Sequence, residues 1–133
     1  MDREATASRL QTLLAERFGW QLPIVKYAAE PRPAIVIDHD NHGDEYSGAT
    51  TVIIFHVEGT RPDTQTAFKL YFRFALHELS GQCDEWSLAL SGTRPGEDAA
   101  FRELFSPAEY SGYWNNHVGA ECTVNGVTVP FRS

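Results

Sequence analysis

The chain has 133 residues, 42% hydrophobic and 22% charged, and its eleven bases against eighteen acids give a net charge of −7. That is enough apolar material for one domain with its own core, folding without a metal or disulfide staple. The acid excess excludes the basic face that binding to backbone phosphates requires, and it disfavours anionic lipid, so neither nucleic acid nor membrane is expected as a partner.

The first segment reads as a helix. Leu10, Leu13, Leu14 and Phe18 recur at i, i+3, i+4 and i+8 as one apolar stripe, Gly19 stands at the C-terminal cap, and Pro23 stops continuation. Trp20 and Leu22 are expected to fold back over the helix end. From Leu22 to Glu58 the runs Ile24–Tyr27, Ala34–Ile37 and Thr51–Val57 are β-branched and aromatic. Pro31-Arg32-Pro33 and the polar stretch Asp38–Gly48 separate them. Three antiparallel strands are the economical arrangement, with residues 38–48 as a loop.

Residues 63–80 carry two patterns at once. Phe68, Leu70, Phe72, Phe74 and Leu76 alternate, as in a strand, while Thr66, Lys69, Arg73, His77 and Ser80 trace a polar stripe at helical spacing. The length exceeds a typical strand of about 5–6 residues. Asp63 and Gly81 offer caps. An internal echo adds weight: Gly59-Thr60-Arg61-Pro62 followed by Ala67-Phe68-Lys69 recurs as Gly92-Thr93-Arg94-Pro95 followed by Ala100-Phe101-Arg102. A mostly buried helix is therefore expected over 63–80.

Trp86, Leu88 and Leu90 share one face of a strand over 84–91. Ala100, Phe101, Leu104 and Phe105 make 97–105 a short helix closed by Pro107, and Ser106-Pro107-Ala108-Glu109 has the capping-box pattern of a further turn. Cys122–Val129 is a hairpin around Asn125-Gly126, the pair that supplies the positive φ angles of a tight turn. The fold class expected is α+β: an N-terminal helix and a second buried helix on an antiparallel sheet, with a C-terminal β-hairpin, in one domain over 1–133. Over residues 5–91 the order helix, three strands, helix, strand is similar in layout to two kinds of assembly protein. These are the tail-terminator subunits of long-tailed phages and the acidic dimeric chaperones of secreted effectors. The chaperone type would end in a long helix where this chain offers a hairpin, and no family is assigned.

The charge is unevenly placed. Residues 1–32 are close to neutral, whereas no base occurs between Arg32 and Arg61, a stretch that holds Asp38, Asp40, Asp44, Glu45 and Glu58. Asp38, Asp40 and His42 with Gly43 fall at the first, third, fifth and sixth places of a calcium loop, but the twelfth place is Ala49, so the bidentate carboxylate is missing. No metal and no cofactor is expected. Arg61 and Arg94 each stand just before a helix-start signal, a layout that can hold an anion. Tyr110, Tyr113 and Trp114, beside Asn115 and Asn116, are candidate aromatic contacts. For an enzyme, Asp38, His56, His77 and Cys83 are the residues to consider; no Gly-x-Ser-x-Gly elbow supports a serine hydrolase.

The first eleven residues lack a signal-peptide core, so a cytoplasmic protein with Cys83 and Cys122 reduced is expected. The function these features favour is a non-enzymatic acidic binding protein, inhibitor- or immunity-like, of the kind carried by phages or mobile elements. It would engage a basic protein partner through Asp38, Asp40, Asp44 and Glu45. The alternatives are a self-assembling structural or assembly-chaperone subunit, with homo-oligomers left open, and a small enzyme with a His/Asp or His/Cys site.

Overall fold

The computed structural model describes residues 2–26, 33–44, 48–77, 79–110 and 120–132, with side chains for all of these except 41–44, 48–49 and 109–110. Helix α1 spans Arg3–Phe18. The Asp2 carboxylate accepts the Ala5 N–H at 3.0 Å at its start. At its end Gly19 takes φ +64°, and the Gly19 and Trp20 N–H groups bond back to Ala15 and Leu14. Leu10, Leu14 and Phe18 are buried and Leu13 packs at their margin, as the stripe requires. Trp20 and Leu22 return to the core.

Among the described residues seven strands form one sheet in sequence order: β1 (Ile24–Val25), β2 (Ile35–Asp44), β3 (Gly48–Thr60), β4 (Ala67–His77), β5 (Cys83–Ser91), β6 (Ala120–Val124) and β7 (Val127–Thr128). The sheet is mixed. β1 pairs parallel with β2, and β5 parallel with β6, while the other pairs are antiparallel. Helix α2 (Ala99–Leu104) lies within the connection from β5 to β6, and a 3-10 turn follows at Pro107–Tyr110. The class is thus α+β, with the N-terminal helix, a short second helix whose Phe101 and Leu104 are buried, and a C-terminal hairpin turning at Asn125-Gly126 (φ +50° and +83°).

Three expectations are corrected. The second helix is 99–104, and residues 67–77 are strand β4, not a helix. The polar stripe misleads because a spacing of four is even: Lys69, Arg73 and His77 share a strand face as readily as a helix face. Thr66 and Ser80, which break the parity, lie outside the strand. The two Gly-Thr-Arg-Pro copies also diverge, the first making a tight turn into β4 through Arg61 N–H to Thr66 O (2.8 Å) and the second leading to α2. Second, residues 38–44 are not loop but the outer part of β2, paired from Asp38↔Ile54 to Asp44↔Gly48. Third, the first strand pair is parallel. With a strand in place of the second helix, the layout shared with tail terminators and effector chaperones no longer holds.

The core lies on one face of the sheet. Ile53, Phe55 and Val57 from β3, the even residues 68–76 from β4, and Trp86, Leu88 and Leu90 from β5 face α1 and α2. Edge-to-face rings bind the layers: Phe18 meets Phe68 at 5.2 Å, Phe55 meets Phe105 at 5.4 Å and Phe74 meets Trp86 at 5.0 Å. The Trp86 indole N–H donates to the Phe105 carbonyl at 2.6 Å, tying the end of α2 to the sheet.

The helix-free face of the sheet

Strand alternation sends the remaining side chains to the opposite face, where no helix packs among the described residues. The registers set these side chains in rows across the sheet. One row runs Asp38, Ile54, Arg73, Ser87 and Glu121, the next Val36, His56, Tyr71, Ala89 and Thr123. Glu58, Lys69 and Ser91 form a third, and Asp40, Val52, Ala75 and Glu85 a fourth. Val36, Val52 and Ala75 are buried; Ile54, His56, Tyr71 and Arg73 are half-buried; Asp40, Glu58, Lys69, Ala89 and Glu121 are exposed.

Charge is segregated on this face: among the described residues Asp38, Asp40, Glu58, Glu85 and Glu121 stand against two bases, Lys69 and Arg73. Arg73 is already paired with Glu85, whose other oxygen accepts the Ser87 hydroxyl at 3.1 Å. Lys69 lies opposite Glu58 in the register, and the Glu58 carboxylate is 3.1 Å from His56 Nε2. By contrast α1, on the other side, carries Arg3, Arg9 and Arg17 against Glu4 and Glu16. The middle of the helix-free face is apolar and aromatic. The His56 ring meets Tyr71 edge-on at 6.0 Å, and a hollow of about 340 Å³ is lined by Lys69, Tyr71, Ala89 and Ser91. Small side chains at 89 and 91 leave that hollow beside the tyrosine.

The residues singled out from sequence fall in different places. Asp38 and Asp40 stand on this face at its β2 border. Asp44 ends β2, but its side chain, like Glu45, lies outside the described residues; so do Tyr113, Trp114 and the side chain of Tyr110. Glu58, Glu85 and Glu121 were missed as members of one surface, because only the strand registers bring them together.

Arg61 is turned inward and fully buried. All five guanidinium donors are used. Nε and Nη2 reach the Asp63 carboxylate at 3.0 and 2.7 Å. Nη1 and Nη2 reach Glu97 at 2.7 and 2.8 Å, and Nη1 also reaches the Gly92 carbonyl at 2.9 Å. The cation lies 3.8 Å from the Phe18 ring centre. Glu97 and Asp63 push the guanidinium pKa up, and Arg61 in turn holds both carboxyls below their ordinary range. These donors are committed to the protein itself, which makes Arg61 a clamp between the β3–β4 turn, the Gly92 turn and the approach to α2. Arg94 is exposed, and its N–H donates to Glu97 at 2.5 Å.

The enzyme candidates are dispersed. Cys83 is buried, its thiol donates to the Glu85 carbonyl at 3.3 Å, and burial pushes its pKa up to about 11. Burial does the same to Cys122, also to about 11. Both are therefore neutral thiols at physiological pH, poor nucleophiles by nature. Asp38 and His56 sit in neighbouring rows, while His77 lies at the far edge of the face, beside Asp84. Among the described residues no three His, Cys, Asp or Glu side chains are placed to share a metal ion, and no helix is long and apolar enough to cross a membrane. No family model, curated protein or solved structure matches this chain.

Proposed function

We propose that this protein is a binding protein that engages a basic surface of a partner protein through the helix-free face of its sheet. One observation carries the reading: among the described residues five carboxylates from four strands gather on a face with two bases, one of them already paired. The arrangement has the anatomy of an interface. Ile54, His56 and Tyr71 give an apolar and aromatic middle, and Asp38, Asp40, Glu58 and Glu121 give a charged border. The border carboxylates steer a basic partner and set its orientation, while the area around Tyr71 supplies contact. Asp38 and Asp40 keep the role read from the sequence, now as one margin of a larger surface.

The test compares two double variants with equal charge change. Glu58→Lys/Glu121→Lys reverses the border of the face, and Glu4→Lys/Glu16→Lys reverses two exposed sites on α1. A basic protein retained by the wild type from an extract of the source organism at low salt is expected to be lost by the first variant and kept by the second. Equal retention by both variants would show that net charge alone, and not this face, governs binding.

A further inference from the structure

At the edge of the helix-free face three side chains from three strands form a relay that the binding surface does not use. Thr50 and His77 are direct cross-strand partners, and the Thr50 hydroxyl lies 3.0 Å from His77 Nδ1. The other ring nitrogen, Nε2, meets an Asp84 carboxylate oxygen. A register shift creates this contact: Ala75 pairs with Glu85 but Leu76 pairs with Cys83, so Asp84 is the extra residue of a bulge and is released toward His77. The turn between the strands is held by His77 N–H to Gln82 O (2.9 Å) and Gly81 N–H to His77 O (2.8 Å). These two bonds tie the His77 N–H and carbonyl to the segment that leads into β5. The His77 and Asp84 side chains are about one-third and two-fifths exposed (34% and 42%), so the relay is accessible from solvent.

We infer that Thr50, His77 and Asp84 form a hydroxyl–imidazole–carboxylate site able to take the acyl group of small apolar esters. Asp84 accepts the ring proton on Nε2, which leaves Nδ1 as the base facing the Thr50 hydroxyl. When an ester carbonyl reaches Thr50, Oγ1 forms a bond to the acyl carbon as its proton passes to Nδ1. The alcohol leaves with its bonding electron pair and takes that proton. Water then attacks the Thr50 ester, giving its proton to Nδ1, and the carboxylic acid departs as Oγ1 is reprotonated. Asp84 is a positioning residue, holding the ring and offsetting its transient positive charge. Leu79, two residues after His77 and 76% exposed, is the nearest in sequence of the exposed large apolar side chains, and it favours an ester with a hydrocarbon group over a charged one.

The full chain treated with p-nitrophenyl trimethylacetate, a small apolar ester whose branched acyl adduct hydrolyses slowly, provides the test. Peptide mapping is expected to find one acyl group on Thr50. Thr50→Val and His77→Gln should each slow p-nitrophenol release about 100-fold, in line with the loss of a base or nucleophile. Asp84→Asn should slow it at least about tenfold, with partial rescue by Asp84→Glu. Acyl groups found only on lysines or the terminal amine would overturn the assignment, and mapping of the wild type needs no variant to fold. Release that survives Thr50→Val but not His77→Gln would make the histidine itself the nucleophile and would equally overturn it. Failure here leaves the binding surface untouched, since none of its border residues takes part.

Discussion

Replacing Arg61 by Met removes the guanidinium and keeps most of the apolar stem. Five charge-assisted hydrogen bonds are lost, four of them to carboxylates, together with the contact on Phe18. Removing one partner of a buried ion pair costs about 3–5 kcal/mol, because the other partner is stranded. Here the stranded carboxylates of Asp63 and Glu97 retain 33% and 25% of their exposure and can recruit water, which places the loss near the lower end, about 3 kcal/mol. With a urea dependence of about 1.5–2 kcal/mol per molar, the midpoint of unfolding falls by about 1.5–2 M. Arg61→Lys should recover only part of this, since one ammonium cannot span two carboxylates and a carbonyl. Urea titration followed by tryptophan fluorescence measures both. A midpoint within about 0.5 M of wild type for Arg61→Met would refute the clamp, because only a loosely solvated arginine is so dispensable.

The clamp also has a pH signature. The folded-state pKa values of Asp63 and Glu97 are depressed, so their contribution is present above the unfolded carboxyl range of about 4 and is lost as pH falls through the folded values. The gap in urea midpoint between wild type and Arg61→Met should shrink in acid; a gap that stays constant down to about pH 2 contradicts this. The two thiols act at the other extreme. Their folded pKa values are raised to about 11, so stability should decline as pH rises from about 8.5 toward 11, where the unfolded thiols ionise first. Cys83→Ala/Cys122→Ala should flatten that decline, and an unchanged alkaline slope would assign it elsewhere. Gly92→Ala should be more damaging than its size suggests. The residue has φ +82°, and a Cβ there would meet the Ala67 carbonyl oxygen at 2.0 Å, so loss of the cooperative unfolding transition or a midpoint shift comparable to Arg61→Met is expected. Trp86→Phe leaves the Phe105 carbonyl without its indole donor and should cost about 1–3 kcal/mol by the same titration; a loss under about 0.5 kcal/mol would mean that water replaces the donor.

Features carried by neighbouring residues were legible in the sequence. The stripe and caps of α1, the short helix around Phe101 and the Asn125-Gly126 hairpin each depend on spacings of a few residues. β4 was not, because four-residue spacing of Lys69, Arg73 and His77 satisfies both periods, and its length of eleven residues is unusual for a strand. The parallel pairing of β1 was also hidden, since a two-residue strand has no period to read. Arg61 and Arg94 looked equivalent in their Gly-Thr-Arg-Pro frames. The distinguishing signal lay two residues on, where the first copy has Asp63, whose carboxylate meets the Arg61 guanidinium, and the second has Gly96.

The acidic surface was legible in part for the same reason. Asp38 and Asp40 stand out as near neighbours, but the polar run around them has the composition of a loop, which masks their alternation along β2. Glu58, Glu85 and Glu121 come from strands far apart in sequence and gather only through the register. Thr50 and Asp84 carry no local signal at all: a strand pairing brings one to His77 and a bulge brings the other.

The most direct measurement of the proposed interface is carboxylate footprinting of the complex. The protein, alone and bound to the basic partner it retains at low salt, is labelled with a carbodiimide and an amine, and the labelled carboxylates are located by mass spectrometry. Binding through the helix-free face predicts that Asp38, Glu58 and Glu121 lose label in the complex while Glu4 and Glu16 on α1 keep it. Protection of Glu4 and Glu16 with Glu58 and Glu121 labelled as before would contradict the account.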